Sequence, residues 1–145
     1  MKLALGVGNR PIEEAVNHDR FAFADYIDVA HDLNVFPWPW EDNSFEEIVA
    51  FDVLEHLDDF IAFFNECWRI LKPGGSVLVQ VPRYDSMNVA IDPTHKRGYH
   101  PKSFEYLDPE TYYGSQYGML YTTRKWRLIY VQDGDNILAR LEVRK

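Results

Sequence analysis

The sequence has 145 residues and a mass of 17.0 kDa, the size of one ordinary domain. Apolar residues make up 46% and charged ones 26%, close to average globular usage, which excludes wholesale disorder and low-complexity architecture. The net charge of −8 argues against general binding to nucleic acid or anionic membrane, since both need a basic footprint. The charge is uneven: residues 1–68 carry 3 basic and 15 acidic residues, a net −12, and residues 69–145 carry 12 and 8, a net +4. The single Cys67 leaves no internal disulfide and no cysteine-based zinc site, in keeping with a reducing compartment. No other metal ligand set is expected. No stretch reaches the ~20 apolar residues that cross a bilayer, and Met1–Gly8 is too short for a signal peptide, so a cytoplasmic protein without membrane contact is expected.

In chain order, Lys2–Leu5 is a short apolar run entering Gly6-Val7-Gly8-Asn9, a buried strand ending in a tight glycine turn. Ala15–Asp19 and Ile27–Asp32 are two further strand candidates, each ending on an acidic residue. A fourth covers Glu47–Phe51, and Ser76–Val81 is the clearest strand of all. Between those two, Leu57, Phe60, Ile61, Phe64, Cys67, Trp68 and Leu71 recur on one face of a 3.6-residue period. Asp58 and Asp59 suit the start of that helix and Arg69 and Lys72 its end; Pro73-Gly74-Gly75 stops it. Strand, helix and strand make a crossover unit and imply a parallel sheet. Late in the chain, Lys125–Val131 and Asn136–Val143 flank Gln132-Asp133-Gly134-Asp135, a hairpin turn signal that predicts an antiparallel edge.

Gly6 and Gly8 allow a ligand close to the backbone, but position 11, where a dinucleotide fingerprint needs a third glycine, is Pro11. A nicotinamide or flavin cofactor is therefore disfavoured. Acidic residues at successive strand ends, Asp19, Asp32 and the region of Asp52, lie where ligands bind open parallel sheets.

With these residues in place the sequence resembles the class I S-adenosylmethionine-dependent methyltransferases, of the compact type 11-like kind. The resemblance is carried by Leu3-Ala4-Leu5-Gly6-Val7-Gly8-Asn9, Val16-Asn17-His18-Asp19, Asp28-Val29-Ala30-His31-Asp32-Leu33 and the aromatic run Phe36 to Phe45. It continues through Val53-Leu54-Glu55-His56-Leu57, Glu66-Cys67-Trp68-Arg69-Ile70-Leu71-Lys72-Pro73-Gly74-Gly75 and Asp92-Pro93-Thr94-His95-Lys96-Arg97. The pairing of Leu-Glu-His-Leu with Arg-Ile-Leu-Lys-Pro-Gly-Gly at this separation is the specific part. The resemblance implies a single α/β domain over residues 1–145 with a Rossmann-like, mostly parallel sheet and shortened early helices. An irregular segment at 82–123 would face the acceptor and a hairpin at 124–145 would form the edge.

It also implies S-adenosylmethionine as cofactor and a small or polar methyl acceptor. Gly6, Gly8 and Asn9 would meet the methionine part, Asp19 the ribose hydroxyls, Asp32 and Leu33 the adenine, and Phe51, Asp52 and Val53 would floor the sulfonium. Asp25 competes with Asp19 on spacing from Gly6; the Val-Asn-x-Asp context favours Asp19. His95 and Tyr84 are the expected catalytic residues, His95 because imidazole titrates near neutrality. Glu55 and His56 are placed at a helix start. The competing function is a non-catalytic module of the same fold that binds the cofactor or a protein partner. Two departures stand out: Ala4 occupies the position where the family carries an acidic residue, and Asn9–Val16 and Arg20–Tyr26 leave no room for full helices. One sheet face should then be bare, and a second copy of the chain or another partner is expected to cover it. Trp38 and Trp40 read as packing residues, and Cys67 as an inert core thiol.

Overall fold

The computed structural model describes all 145 residues. Seven strands form one sheet: β1 (Lys2–Leu5), β2 (Ala15–Asp19), β3 (Val29–Ala30), β4 (Phe45–Phe51), β5 (Leu71–Pro82), β6 (Lys125–Gln132) and β7 (Asn136–Arg144). Their spatial order is β3-β2-β1-β4-β5-β7-β6. Pairings from β3 to β5 are parallel, and β7 is antiparallel to both β5 and β6, which is the mixed sheet with an antiparallel C-terminal hairpin that the sequence predicts. The strand order reverses between β1 and β4, so the carboxyl ends of these two strands border the crevice where open α/β sheets bind ligands.

The main helix, α1 (Phe60–Ile70), starts one turn later than its apolar period suggests, because the Asp59 carboxylate caps it by accepting from the Ala62 amide at 2.9 Å. It buries Phe63, Phe64, Cys67 and Ile70 against one face of the sheet. Leu3, Leu5, Ile48, Ala50, Val77, Val79, Ile137 and Leu141 belong to the same buried cluster, and Trp126 meets Phe64 edge to face at 5.7 Å. Trp38 is buried there too, 5.5 Å from Phe63, with Trp40 packed against it, and Cys67 has no exposed surface.

The other face carries no helix. Its residues, read across the strand register, run Lys2, Glu47, Ser76, Glu142 in one row and Ala4, Val49, Leu78, Arg140 in the next. Glu47 pairs with Lys2 at 2.8 Å and Arg140 at 3.0 Å, and Arg140 also donates to the Ser76 hydroxyl at 2.9 Å. The Lys2 hydrogen bond, backed by Arg140, holds the Glu47 carboxyl below its ordinary range despite partial burial. Part of the face is thus satisfied by its own charge lattice. The connection at 9–14 runs beside the rest, with Ile12 lining the same cavity as Ala4 and Val49 and tied down by Asn17, whose side chain accepts from the Ile12 amide and donates to its carbonyl.

Two strands differ from expectation for local reasons. β3 is cut to two residues because the Asp28 carboxylate takes the Asn17 amide at 2.8 Å, displacing the ladder, and Asp32 turns the chain by accepting from Asn34. β5 starts at Leu71, directly after α1, by pairing with Phe45; the register then shifts before Ser76 pairs with Glu47. Gly74 sits in that irregularity at φ +76°, and a Cβ at Gly75 would lie 2.9 Å from the Lys72 carbonyl, so the glycines serve a bulge within the strand rather than a helix stop. The segment after β5 holds only short elements: α2 (Met87–Ile91), a 3₁₀ helix at Pro101–Leu107, and helical turns at Gly114–Gly118 and Met119–Tyr121. No helix is long and apolar enough to cross a membrane.

Candidate functional site

The end of β1 is the floor of the site. Gly6 has φ +58° and Gly8 φ +55°, and a Cβ on Gly6 would lie 2.7 Å from Val53 Cγ2. Glycine is required at position 6 by both conformation and space. The Gly6 amide donates to His18 Nδ1 at 3.2 Å, and His18 Nε2 lies 2.8 Å from the His31 carbonyl. An amide can only donate, so Nδ1 bears the lone pair and the single ring proton sits on Nε2. His18 is buried, and burial pushes its pKa below the ordinary value, which keeps the ring neutral with both nitrogens engaged. Beside it, Gly8 donates to Asp19 Oδ2 at 2.8 Å, and the Tyr26 hydroxyl donates to the Gly8 carbonyl at 2.8 Å. The first three strand ends are therefore bonded into one unit.

Above this floor lies a cavity of about 570 Å³, within the range of small-ligand sites. Of the residues singled out in the sequence, Gly6, Asp19, Asp32, Leu33, Asp52 and Val53 line it. Gly8 touches it only through Asp19. Asn9 and Phe51 line a neighbouring cavity of about 480 Å³ on the bare sheet face, which shares Gly6 and Asp52 with the first. Asp25 lines neither. Asp19 Oδ1 accepts from the Arg20 amide at 2.7 Å, and Asp32 pairs with the Arg20 guanidinium at 3.3 Å; each carboxylate keeps lone pairs for a ligand. Asp52 sits at φ +59°, a left-handed conformation rare outside glycine, with its amide bonded to the Gln80 carbonyl at 3.0 Å.

The far end of the cavity is built by the 3₁₀ turn Leu54–His56, and the segment 92–99 straps onto it. The Lys96 amide donates to the Glu55 carbonyl at 2.7 Å, and the Tyr99 hydroxyl to the Leu54 carbonyl at 3.3 Å. His56 and Thr94 line the cavity. The His95 ring lies behind His56, centroids 4.7 Å apart, with its side chain 10% exposed. Burial and the neighbouring His95 lower the His56 pKa. Glu55 has no exposed surface, and neither carboxylate oxygen has a hydrogen-bond partner; burial, with the charges of Asp52 and Asp92, pushes its pKa up to about 7.

Tyr84 is not brought to this cavity. It is half exposed, stacked on His100 at 5.6 Å, with the Arg83 guanidinium 5.0 Å from its ring; Arg83 beside it forms an isolated parallel bridge with Tyr99. His18 carries no motif signal in the sequence, although it shares the parity of Val16, which packs against the core. Glu55 and His56 are expected only at a helix start; a glutamate between Leu54 and Leu57 is the available signal for a buried carboxyl.

Residues 12–79 match the family described as "Methyltransferase domain". A "probable S-adenosylmethionine-dependent methyltransferase" of Mycolicibacterium smegmatis is 35% identical over 89 residues, 59% of this chain and 34% of its own length. Over this stretch the chain is similar to S-adenosylmethionine-dependent methyltransferases. Among solved structures, a SAM-dependent methyltransferase from Archaeoglobus fulgidus superposes with a TM-score of 0.65 at 15% identity, over 97% of this chain and 85% of that one. The trans-methyltransferase CalH, solved as a complex with SAH, gives 0.66 at 14%, over 99% and 51%. At those identities the likeness speaks for the fold, and the sequence similarity is confined to part of the chain. The chain spans about a third of the length of the curated methyltransferases it matches. The matched stretch begins after Gly8, so the glycine floor stands on the geometry above.

Proposed function

We propose that the chain binds S-adenosylmethionine in the 570 Å³ cavity and transfers its methyl group to a small or polar acceptor that enters beside His56. The observation that carries the reading is the cavity's lining: a floor with no room for a Cβ at Gly6, and three carboxylates, Asp19, Asp32 and Asp52, around it. That lining fits a cationic sulfonium ligand with a diol. When bound, the cofactor supplies a methyl on positive sulfur, which passes to an acceptor lone pair as the carbon–sulfur bond breaks and leaves a neutral thioether.

The chain's own residues bind and orient. Asp19, held by the Gly8 and Arg20 amides, accepts from the ribose hydroxyls with its remaining lone pairs. Leu33 packs on the adenine, and Asp32 accepts from its amino group. Asp52 and Val53 face the sulfonium, with Phe51, Gly8 and Asn9 toward the methionine end. Ala4 offers no carboxylate here, and it is buried, lining the neighbouring cavity with Ile12. Holding the acceptor in line with the methyl supplies much of the rate in such a transfer. His56 faces the acceptor; His95, the base expected from the sequence, acts through His56 because it lies behind that ring.

Calorimetric titration with S-adenosylmethionine tests the reading. One site per chain is expected, weakened at least about tenfold by Asp19→Ala, as loss of a charge-assisted hydrogen bond worth roughly 1.5–3 kcal/mol implies. No heat at millimolar cofactor overturns it.

A further inference from the structure

Behind the cofactor cavity, His56, Asp92 and His95 bring two imidazoles and a carboxylate together, with ligand atoms all within 4.8 Å of one another. The geometry points to a site for a first-row divalent cation held by His56, His95 and Asp92, at the acceptor end of the cavity. Four observations carry it.

The first is the tautomer of His56. Thr94 has one hydroxyl proton, and it points to Asp92 Oδ1 at 2.7 Å. The Thr94 oxygen therefore accepts from His56 Nδ1, 3.0 Å away, which places the His56 proton on Nδ1 and leaves the Nε2 lone pair free. An outer hydrogen-bond partner on the second ring nitrogen is how proteins fix a histidine for metal binding, and here that partner is the Thr94 hydroxyl. The second is His95, whose buried Nδ1 has no hydrogen-bond partner while Nε2 stands 3.6 Å from Asp92 Oδ2, too far for a good hydrogen bond. The third is Glu55, next to His56 in the same turn and fully buried with no ion-pair partner; it stands outside the three ligands, and its acidic group adds to the negative character that a cation would balance.

The fourth is the lack of a protein cation to fill that role. Neither Glu55 nor Asp92 is paired with lysine or arginine. Lys96 turns to Asp58, and Arg97 lies over the Tyr99 ring at 4.4 Å. A negative, half-buried pocket with two imidazoles and one carboxylate suits a first-row divalent ion and leaves open positions. Ligands on a tetrahedral ion at about 2.0–2.1 Å lie about 3.3 Å apart, so binding draws the three side chains inward by rotation. Since His56 lines the cavity, the open positions face the acceptor, where oxygen donors of the acceptor can take them. That use rests on the methyltransferase reading; the cation site itself does not.

The test is Mn²⁺ added to the metal-stripped full chain, followed by loss of the free-ion paramagnetic resonance signal. One bound Mn²⁺ per chain is expected, weakened at least about tenfold in His56→Ala and in Asp92→Asn, and displaced by Zn²⁺. On the wild-type chain, Mn²⁺ should broaden the ring resonances of His56 and His95 before those of His18, His31 and His100, a readout that needs no variant to fold. Absence of binding at millimolar Mn²⁺, binding undiminished in both variants, or uniform broadening overturns the site. One bound Mn²⁺ in a chain that gives no heat with S-adenosylmethionine would uphold the site and reject the reading above it.

Discussion

Gly6 and Gly8 differ in a way that allows one to calibrate the other. Both hold left-handed backbone, at φ +58° and +55°, where an L-residue costs about 1–2 kcal/mol. At Gly8 a Cβ would meet nothing within 4 Å, whereas at Gly6 it would lie 2.7 Å from Val53 Cγ2. Val53 is only 6% exposed and β-branched, so it cannot swing aside as a long side chain would. Forcing that overlap adds about 1–3 kcal/mol, and moving the loop instead breaks the Gly6 bond to His18. Gly8→Ala should therefore cost about 1–2 kcal/mol and Gly6→Ala about 2–5 kcal/mol. In urea, with a slope of about 1–3 kcal/mol/M, the Gly6→Ala midpoint should fall by roughly 2 M and the Gly8→Ala midpoint by less than about 1 M. Equal shifts for the two variants would refute the claim that Val53 closes the floor of the cavity.

Two further outcomes follow from buried polar groups. The folded pKa of His18 is lowered, so its contribution to stability is complete above the unfolded value of about 6.5 and is lost as pH falls from there toward the folded pKa. The urea midpoint of the wild type should drop across that window relative to His18→Gln, and a constant difference would count against a ring held neutral by burial. The pair comparison is needed because Glu55, raised to about 7, titrates in the same window with the opposite sign. Arg69 holds Glu66 through two contacts at 2.8 Å and also reaches the Trp38 and Trp40 carbonyls and Asp42. Side chains only 18% and 13% exposed make this a mostly buried pair, so Arg69→Met should cost about 2–4 kcal/mol and shift the tryptophan emission. Adding Glu66→Gln should restore part of the loss, and no recovery would contradict an uncompensated carboxylate as the cause.

The strands legible in the sequence are those whose pairing is decided by their own alternation: β2 falls at Ala15–Asp19 as expected, and Asp133-Gly134 places the hairpin. Where a side chain from elsewhere takes over a backbone group, the sequence is silent. Asp28 ending β3 early and Leu71 pairing with Phe45 are of that kind. The bare sheet face was foreseeable from short connections, but the lattice of Lys2, Glu47 and Arg140 was not, because those residues meet only through the strand order. The site divides similarly. Asp19, Asp32 and Asp52 are found by position at strand ends. His18, Glu55 and Tyr84 depend on which way a strand or strap carries the side chain, a property of the assembled sheet.

The bonds that join the first strand ends also decide when loop order is achieved. Fixing one residue's backbone costs about 1–2 kcal/mol of conformational entropy. Here Gly6, Gly8, His18, Asp19, Tyr26 and His31 already restrain one another, so that cost falls on folding and not on ligand capture. Apparent affinity is then undiminished by a scarce competent state. By reciprocity, a ligand seated on this floor tightens β1, β2 and the start of the 31–35 turn together, and its presence is felt at the outermost parallel strand, which it does not touch.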